Sequence, residues 1–309
     1  MLKDEDGVLT GPMATALEAE FGVSARIAPQ DYIMNALIWV MKDVGVAFRH
    51  YIEDGRANAL AVKAVLEKFD GARLAAASAP LSLLDFASGY GRVGRHLSKL
   101  MPAAFYTAMD IHPTAVSFNR DTLGLDTILS HNEPELVVSD RTFDYVVALS
   151  FFSHVRRALF DKWLQALHRL MKPGGMLIFT AHGRESHDAT MPDVAIDADG
   201  YGMMKTSEQF DLSTDYYVQA ITYEPFVVAA IKRIKGLELV AVEPASWWGH
   251  QDMYVVRCVE EASPSAWQRA AMRISGSVRY FAGRARRTLG RFVKSATGKS
   301  QPETPPPSI

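Results

Sequence analysis

Two periods of apolar positions alternate along this chain. From Asp31 onward Ile33, Leu37, Val40, Val44, Ala47 and Tyr51 recur at three- and four-residue spacing, and Leu60, Ala64 and Val65 resume the pattern after Asp54-Gly55. That spacing keeps apolar side chains on one side of a helix, so it predicts two helices with a turn at Asp54-Gly55. Residues 1–30 show little periodicity and read as a loose arm. Beyond a linker at 74–80 the pattern changes to short apolar runs closed by an acid or a turn: 82–85, 105–110, 125–129, 145–149 and 176–179. Helical spacing separates them, carried by Val93, Leu97 and Leu100, then by Ala115, Val116 and Phe118 behind Pro113. A third helical stripe is Phe160, Trp163, Leu164 and Leu167. Strands alternating with helices predict an α/β fold built on a parallel sheet. Residues 237–242 and 253–258 read as a closing strand pair.

The chemistry gathers where these strands end. Asp85 is followed by Ala87-Ser88-Gly89-Tyr90-Gly91, a turn whose glycines permit positive φ and let a ligand approach the backbone. The next helix offers free N–H groups behind it. Asp110 closes the second strand, where an acid can accept both hydroxyls of a ribose. With DFASGYG, Asp110, FDYVVALS and LMKPGGMLIF in this order across residues 81–182, the chain resembles the class I S-adenosylmethionine-dependent methyltransferases. Ala87 stands in place of that family's first glycine.

The resemblance implies a Rossmann-like seven-stranded methyltransferase sheet with helices on both faces and an inserted antiparallel last strand. It implies S-adenosyl-L-methionine as cofactor, held by Asp85, Ala87, Ser88, Gly89, Gly91, Asp110, Ile111, Asn132, Leu149 and Ser150. A nicotinamide-dependent oxidoreductase is the alternative for such a turn, and would more naturally keep three glycines and lack the Lys-Pro-Gly-Gly turn. A non-catalytic cofactor-binding scaffold is the other.

His154 follows the fourth strand, His182 the fifth, and residues 246–252 place Trp247, Trp248, His250, Gln251 and Asp252 between the closing strands. Carboxyl ends of parallel strands are where doubly wound sheets bind ligands. Each imidazole is therefore a candidate base for a hydroxyl acceptor, with Asp252 to orient one of them; structural or helix-capping roles, and catalysis by positioning alone, stay open. Residues 184–236 are rich in aromatics, including Tyr201, Phe210, Tyr216, Tyr217, Tyr223 and Phe226, and are expected to form a lid. FTAHG, then YG, then a Trp followed by HQD resembles a bacterial methyltransferase subgroup found alongside glycosyltransferases. That resemblance points to a small-molecule or glycan acceptor and to O-methylation.

Composition changes the picture mainly at the tail. The chain has 309 residues, 48% hydrophobic and 22% charged, an ordinary globular balance. One cysteine, Cys258, excludes an internal disulfide and no metal site is expected. The cysteine usage, together with the absence of a signal-like start or a long apolar run, suggests a cytoplasmic protein. From Trp267 the residues Ala271, Ile274, Val278, Phe281, Ala285, Leu289 and Phe292 define one narrow helical face. Residues 264–309 hold nine cationic side chains against one acid, Glu303, so the rest of a chain of net charge −2 carries −10. This C-terminal amphipathic helix, residues 264–295, suits an anionic membrane surface or an acidic partner, and places the protein at the inner membrane surface in that case. No nucleic acid is expected. The organisation read from the sequence is an N-terminal arm and helical cap over 1–79, a cofactor-binding domain over 80–260 with the lid at 184–236, and a basic helix with a disordered end over 261–309.

Overall fold

The computed structural model describes residues 2–3, 9–102, 104–206, 209 and 211–260. The basic tail helix expected from the sequence, and Phe210 of the lid, lie outside the described residues. A short pairing of β1 (Leu2–Lys3) with β2 (Leu9–Thr10) leads into α1 (Pro12–Phe21), α2 (Tyr32–Met41) and α3 (Val44–Ala76). Then come β3 (Leu81–Phe86), α4 (Gly94–Leu100), β4 (Ala104–Asp110), α5 (Pro113–Asp121), β5 (Asp126–Leu129), β6 (Phe143–Ala148), α6 (Arg157–Arg169) and β7 (Met171–His182). The chain continues through α7 (Arg184–Thr190), β8 (Tyr201–Met204), β9 (Gln219–Thr222), α8 (Glu224–Arg233), β10 (Leu237–Trp247) and β11 (Gln251–Cys258). No helix among the described residues is long and apolar enough to cross a membrane.

Seven strands lie in the order β5-β4-β3-β6-β7-β11-β10. The first five are mutually parallel, and β11 inserts antiparallel between β7 and β10. The order reverses between β3 and β6, which opens a crevice at their carboxyl ends. The insertion adds β8 and β9 beyond the end of β7, where Ile221 pairs with His182.

Successive strand residues face opposite sides. Leu84, Val146, Leu177 and Tyr254 pack under α6 and α8 with Trp163, Leu164, Val227 and Ile231. Their neighbours Leu83, Tyr145, Ile178 and Val255 pack on the other side against Ala59, Val62 and Leu66 of α3 and Leu97 of α4. Both faces are covered, which is why these strands read as continuous apolar runs.

Three expectations are corrected. Of the expected loose arm over 1–30, residues 9–30 are packed: Leu17, Ala25 and Ile27 join Met34, Phe48, Tyr51 and Ile52 in a buried cluster, and the Leu9 N–H donates to the Ile27 carbonyl at 2.9 Å. Asp54-Gly55 is not a turn but lies within the unbroken first part of α3. Its glycine answers to packing, since a Cβ there would sit 2.4 Å from the Arg92 carbonyl oxygen. The Lys-Pro-Gly-Gly segment does not precede its strand. Met171 already pairs with Phe143 and Met176 with Tyr145, so residues 172–175 loop out of β7 opposite Asp144 alone.

Two glycines of α3 should therefore behave oppositely. Gly55→Ala forces apart α3 and the backbone at Arg92 and is expected to cost about 1–3 kcal/mol. Gly71→Ala meets nothing within 4 Å and should stabilise by up to about 1 kcal/mol. Urea titrations of the two variants, compared by midpoint at constant slope, check both signs.

Candidate active site

A cavity of about 1190 Å³ opens at the strand ends, between the Ala87–Gly91 turn, the start of α2 and the insertion. The turn is held from three sides. Ser88 N–H donates to the Met109 carbonyl at 3.2 Å and Gly89 N–H to Oδ2 of Asp110 at 2.8 Å. Asn119, fully buried on α5, donates through Nδ2 to the Gly89 carbonyl at 2.9 Å. Gly91, at φ +71, abuts the same amide, and a Cβ there would lie 2.4 Å from Asn119 Oδ1. Gly89, at φ +54, has nothing within 4 Å of where its Cβ would be, so the backbone is bare toward the cavity. Ala87 also sits at positive φ, +58, which explains on steric grounds why a glycine suits that position.

The buried Arg95 fastens the turn to the N-terminal segment. Its guanidinium donates to the carbonyls of Gly91 (3.0 Å), Tyr90 (3.2 Å), Ser24 (2.8 Å) and Arg26 (2.8 Å). Asp31, which caps α2 and accepts the Tyr51 hydroxyl at 2.5 Å, reaches the cavity from the same segment.

Charge along the cavity is one-sided at the turn. Asp31, Asp85, Asp110 and Asp211 line it, and Arg92, the one Lys or Arg among the described lining residues, is ion-paired with Asp54 of α3. Asp85 is 3% exposed and accepts the Tyr106 hydroxyl at 2.6 Å. Desolvation pushes its carboxyl up to about 7, with the Tyr106 bond pulling the other way and the Asp110 charge adding to the rise. His112 joins Asp110 (Nδ1 to Oδ1, 2.9 Å) to Asp211 (Nε2 to Oδ2, 3.1 Å), and these carboxylates raise its pKa. Such a lining fits a cofactor that carries cationic amino and sulfonium groups, and disfavours the pyrophosphate of a dinucleotide.

The opposite wall is aromatic and uncharged. Tyr217 stacks on His154 at 4.2 Å between centroids, His154 meets His182 at 6.0 Å, His182 meets His250 at 5.8 Å, and Trp248 lies over His250 at 6.5 Å. Burial pushes His154 down to about 3 and His182 to about 4, each also lowered by its neighbouring histidine, and lowers His250 as well. All three are neutral at pH 7, and no three His, Cys, Asp or Glu side chains among the described residues converge as metal ligands. Bond partners fix two of the tautomers. His154 Nδ1 lies 3.0 Å from the Val218 carbonyl and must donate. His250 Nδ1 lies 2.9 Å from Ser186 Oγ, whose own proton goes to the His250 carbonyl at 2.6 Å, so this nitrogen donates too and Nε2 carries the lone pair.

Of the residues singled out in the sequence, Asp85, Ala87, Ser88, Gly89, Asp110, Ile111, Asn132, Leu149, Ser150, His154, His182 and His250 line this one cavity. Gly91 lies behind the turn. Asp252 orients no histidine: it faces away from Gln251, its Oδ1 accepts the Ala245 N–H at 2.9 Å, and it borders a separate depression of about 370 Å³ beside Arg184 and Glu224. Ser186 does the orienting instead. Sequence reasoning also passed over Asp31, Asn119 and Thr180, and gave Gln251 no role beyond its place in the polar-aromatic segment 246–252. Asp31 alone left a signal, as a helix-capping acid ahead of an apolar run.

The raised Asp85 carboxyl makes a stability prediction. The folded form holds a proton that the unfolded chain, titrating near 3.8, releases earlier, so ligand-free stability is full below pH 4 and falls as pH rises toward 7. The loss is on the order of 4 kcal/mol. Asp85→Asn should remove that slope, melting higher than the parent at pH 8 and close to it at pH 4, as read by calorimetry of the ligand-free proteins.

The family described as Methyltransferase domain matches residues 84–177, from the middle of β3 into β7. No curated protein matches the chain. Among solved structures, the 1,6-didemethyltoxoflavin-N1-methyltransferase of Burkholderia thailandensis is 14% identical over 84% of this chain and 98% of its own, with a TM-score of 0.46. The CcbJ methyltransferase of Streptomyces caelestis is 17% identical over 67% and 90%, TM-score 0.45. The glycopeptide N-methyltransferase MtfA, complexed with S-adenosyl-L-methionine, is 14% identical over 60% and 90%, TM-score 0.43. The match to the Methyltransferase domain family thus falls on the part of the sheet, β3 into β7, that carries the acid-lined glycine turn at the switch point.

Proposed function

We propose that the protein methylates a hydroxyl group on a small, uncharged, ring-bearing acceptor, a sugar or sugar-linked group foremost. The observation that carries this reading is the row Tyr217–His154–His182–His250–Trp248, an uncharged wall of flat rings holding neutral imidazoles. Flat faces suit the C–H side of a sugar ring, and neutral imidazoles suit its hydroxyls.

S-adenosylmethionine, when bound, supplies a methyl group on a sulfonium centre, open to in-line displacement. The protein's part is to bind, align and exclude water. Asp110 and the Ala87–Gly91 turn hold the nucleoside end, Asp85 answers a cationic group, and Asn132 and Leu149 close the sides. The insertion, through Met191, Tyr216 and Tyr217, covers the acceptor end. His250 takes the hydroxyl proton on Nε2 as the oxygen gains its methyl group. Among the three histidines it is the least buried, so it can pass that proton to water. Ser186 keeps Nδ1 protonated and the ring in place.

The decisive experiment is labelled-methyl transfer to a panel of neutral glycosides, phosphorylated sugars, phenols and amines, preceded by calorimetric titration with S-adenosylmethionine. Transfer to neutral hydroxyl compounds supports the reading; transfer confined to amines or phosphorylated sugars overturns it. His250→Gln and Ser186→Ala are expected to lower kcat, the former by about 10²-fold. Because His154 and His182 stay neutral above pH 5, neither should impose a limb near 6.5 on kcat. In contrast, kcat/KM for the cofactor should rise with pH through about 7 as Asp85 ionises in the free enzyme.

A further inference from the structure

Ser150 closes β6 in a conformation that residues with a Cβ avoid, at φ +53. Such strain persists only where surroundings over-determine it. Here three hydrogen bonds do so: Ser150 N–H donates to Thr180 Oγ1 at 2.7 Å, its hydroxyl donates to Gln251 Oε1 at 3.2 Å, and its carbonyl accepts the Ser153 hydroxyl at 2.7 Å. Thr180, in turn, donates to the same Gln251 Oε1 at 2.8 Å.

The Gln251 amide is thereby fixed. Two hydroxyl donors demand its oxygen, so its nitrogen is the end that faces His182 Nε2, at 3.4 Å. An amide N–H can only donate, and His182 Nε2 must then be the unprotonated nitrogen. Gln251 is 2% exposed and Thr180 fully buried, so water does not compete for these bonds. One side chain on β11 touches both the β6 turn at the cofactor end and the middle ring of the acceptor wall.

We propose that Gln251 is a positioning residue for methyl transfer: its oxygen holds Ser150 in the left-handed turn and its nitrogen sets the His182 tautomer, so the two ends of the cavity keep one alignment. The inference rests on the methyl-transfer reading for its purpose and on the hydrogen bonds for its chemistry. In-line displacement penalises small misalignment steeply, so a link of this kind acts on rate without touching either reactant.

Two variants separate the two ends of the amide. Gln251→Glu keeps an acceptor for Ser150 and Thr180 but loses the donor; Gln251→Leu loses both. The readouts are the nitrogen NMR shifts of the His182 ring in ligand-free protein and calorimetric affinity for S-adenosylhomocysteine. Gln251→Glu should bind within about twofold of the parent, while the His182 proton moves to Nε2 and the ring gains a titration above pH 5. Gln251→Leu should bind about tenfold more weakly, the worth of one hydrogen bond, with mixed His182 tautomers. Equal affinity losses in the two variants, or parental His182 shifts in both, would overturn the proposal. If Gln251→Leu does not fold, Ser150→Ala takes its place, with affinity expected to fall and His182 expected to be unchanged. A parent protein that binds no S-adenosylhomocysteine would count against the cofactor reading, and the ligand-free His182 shifts would still decide on Gln251.

Discussion

The geometry of the cofactor turn depends on a buried guanidinium. Arg95 is 3% exposed, and a charge removed from water is tolerable only when its donors are occupied. Its partners are four backbone carbonyls, two on the Tyr90–Gly91 turn and two at Ser24 and Arg26. The segment before α2 therefore cannot leave without stranding the charge. Nor can the turn change shape without losing its bonds. Asp31 and Tyr51, packed near the same cation, extend this dependence to the helices α2 and α3. What precedes the sheet in sequence is thus part of the site rather than a cover over it.

The cavity divides into two electrostatic regions. Around the turn, carboxylates dominate and one of them is held near neutrality by desolvation. Along the far wall, burial keeps imidazoles uncharged. Arg92 and Asp54 lie near the junction: their ion pair neutralises the guanidinium, which lies 5.2 Å from the Trp248 ring centre, while Asp54 also accepts the Trp248 indole N–H at 3.2 Å. One space thus presents carboxylates at one end and uncharged rings at the other.

The sheet was legible because each strand combines an apolar run with an acid or turn at its end, and both faces are covered. The cofactor turn was legible because its conformational demands select residue types. Gly55 misled because a glycine records that a Cβ does not fit, without recording whether the reason is a turn or a close neighbour. Residues 9–30 were opaque because buried side chains such as Leu17 and Ile27 find partners on α2 and α3 rather than along a period of their own. The pairings among the polar residues that fasten the site could not be read: Ser186 and His250 are 64 positions apart, Gln251 and Ser150 101. Gln251 and Asp252 are adjacent in sequence and chemically alike in promise, yet a strand sends them to opposite sides. Only the register of β11 against β7 decides which one faces the histidines.

The segment from Asp211 to Tyr217 spans the cavity as a strap with unlike fastenings. Its first end is an ion pair on His112, made by a carboxylate whose side chain is 69% exposed; its other end is a ring stacked on buried His154. Ionic strength acts on the first fastening, since exposed charges are screened over about 10 Å at 0.1 M salt. The stacked ring carries no charge for salt to screen and is sensitive instead to solvents that weaken apolar burial, although Asp215 beside it also pairs with Arg156. The two fastenings therefore answer to different media, the Asp211 ion pair to ionic strength and the Tyr217 stack to the strength of apolar burial.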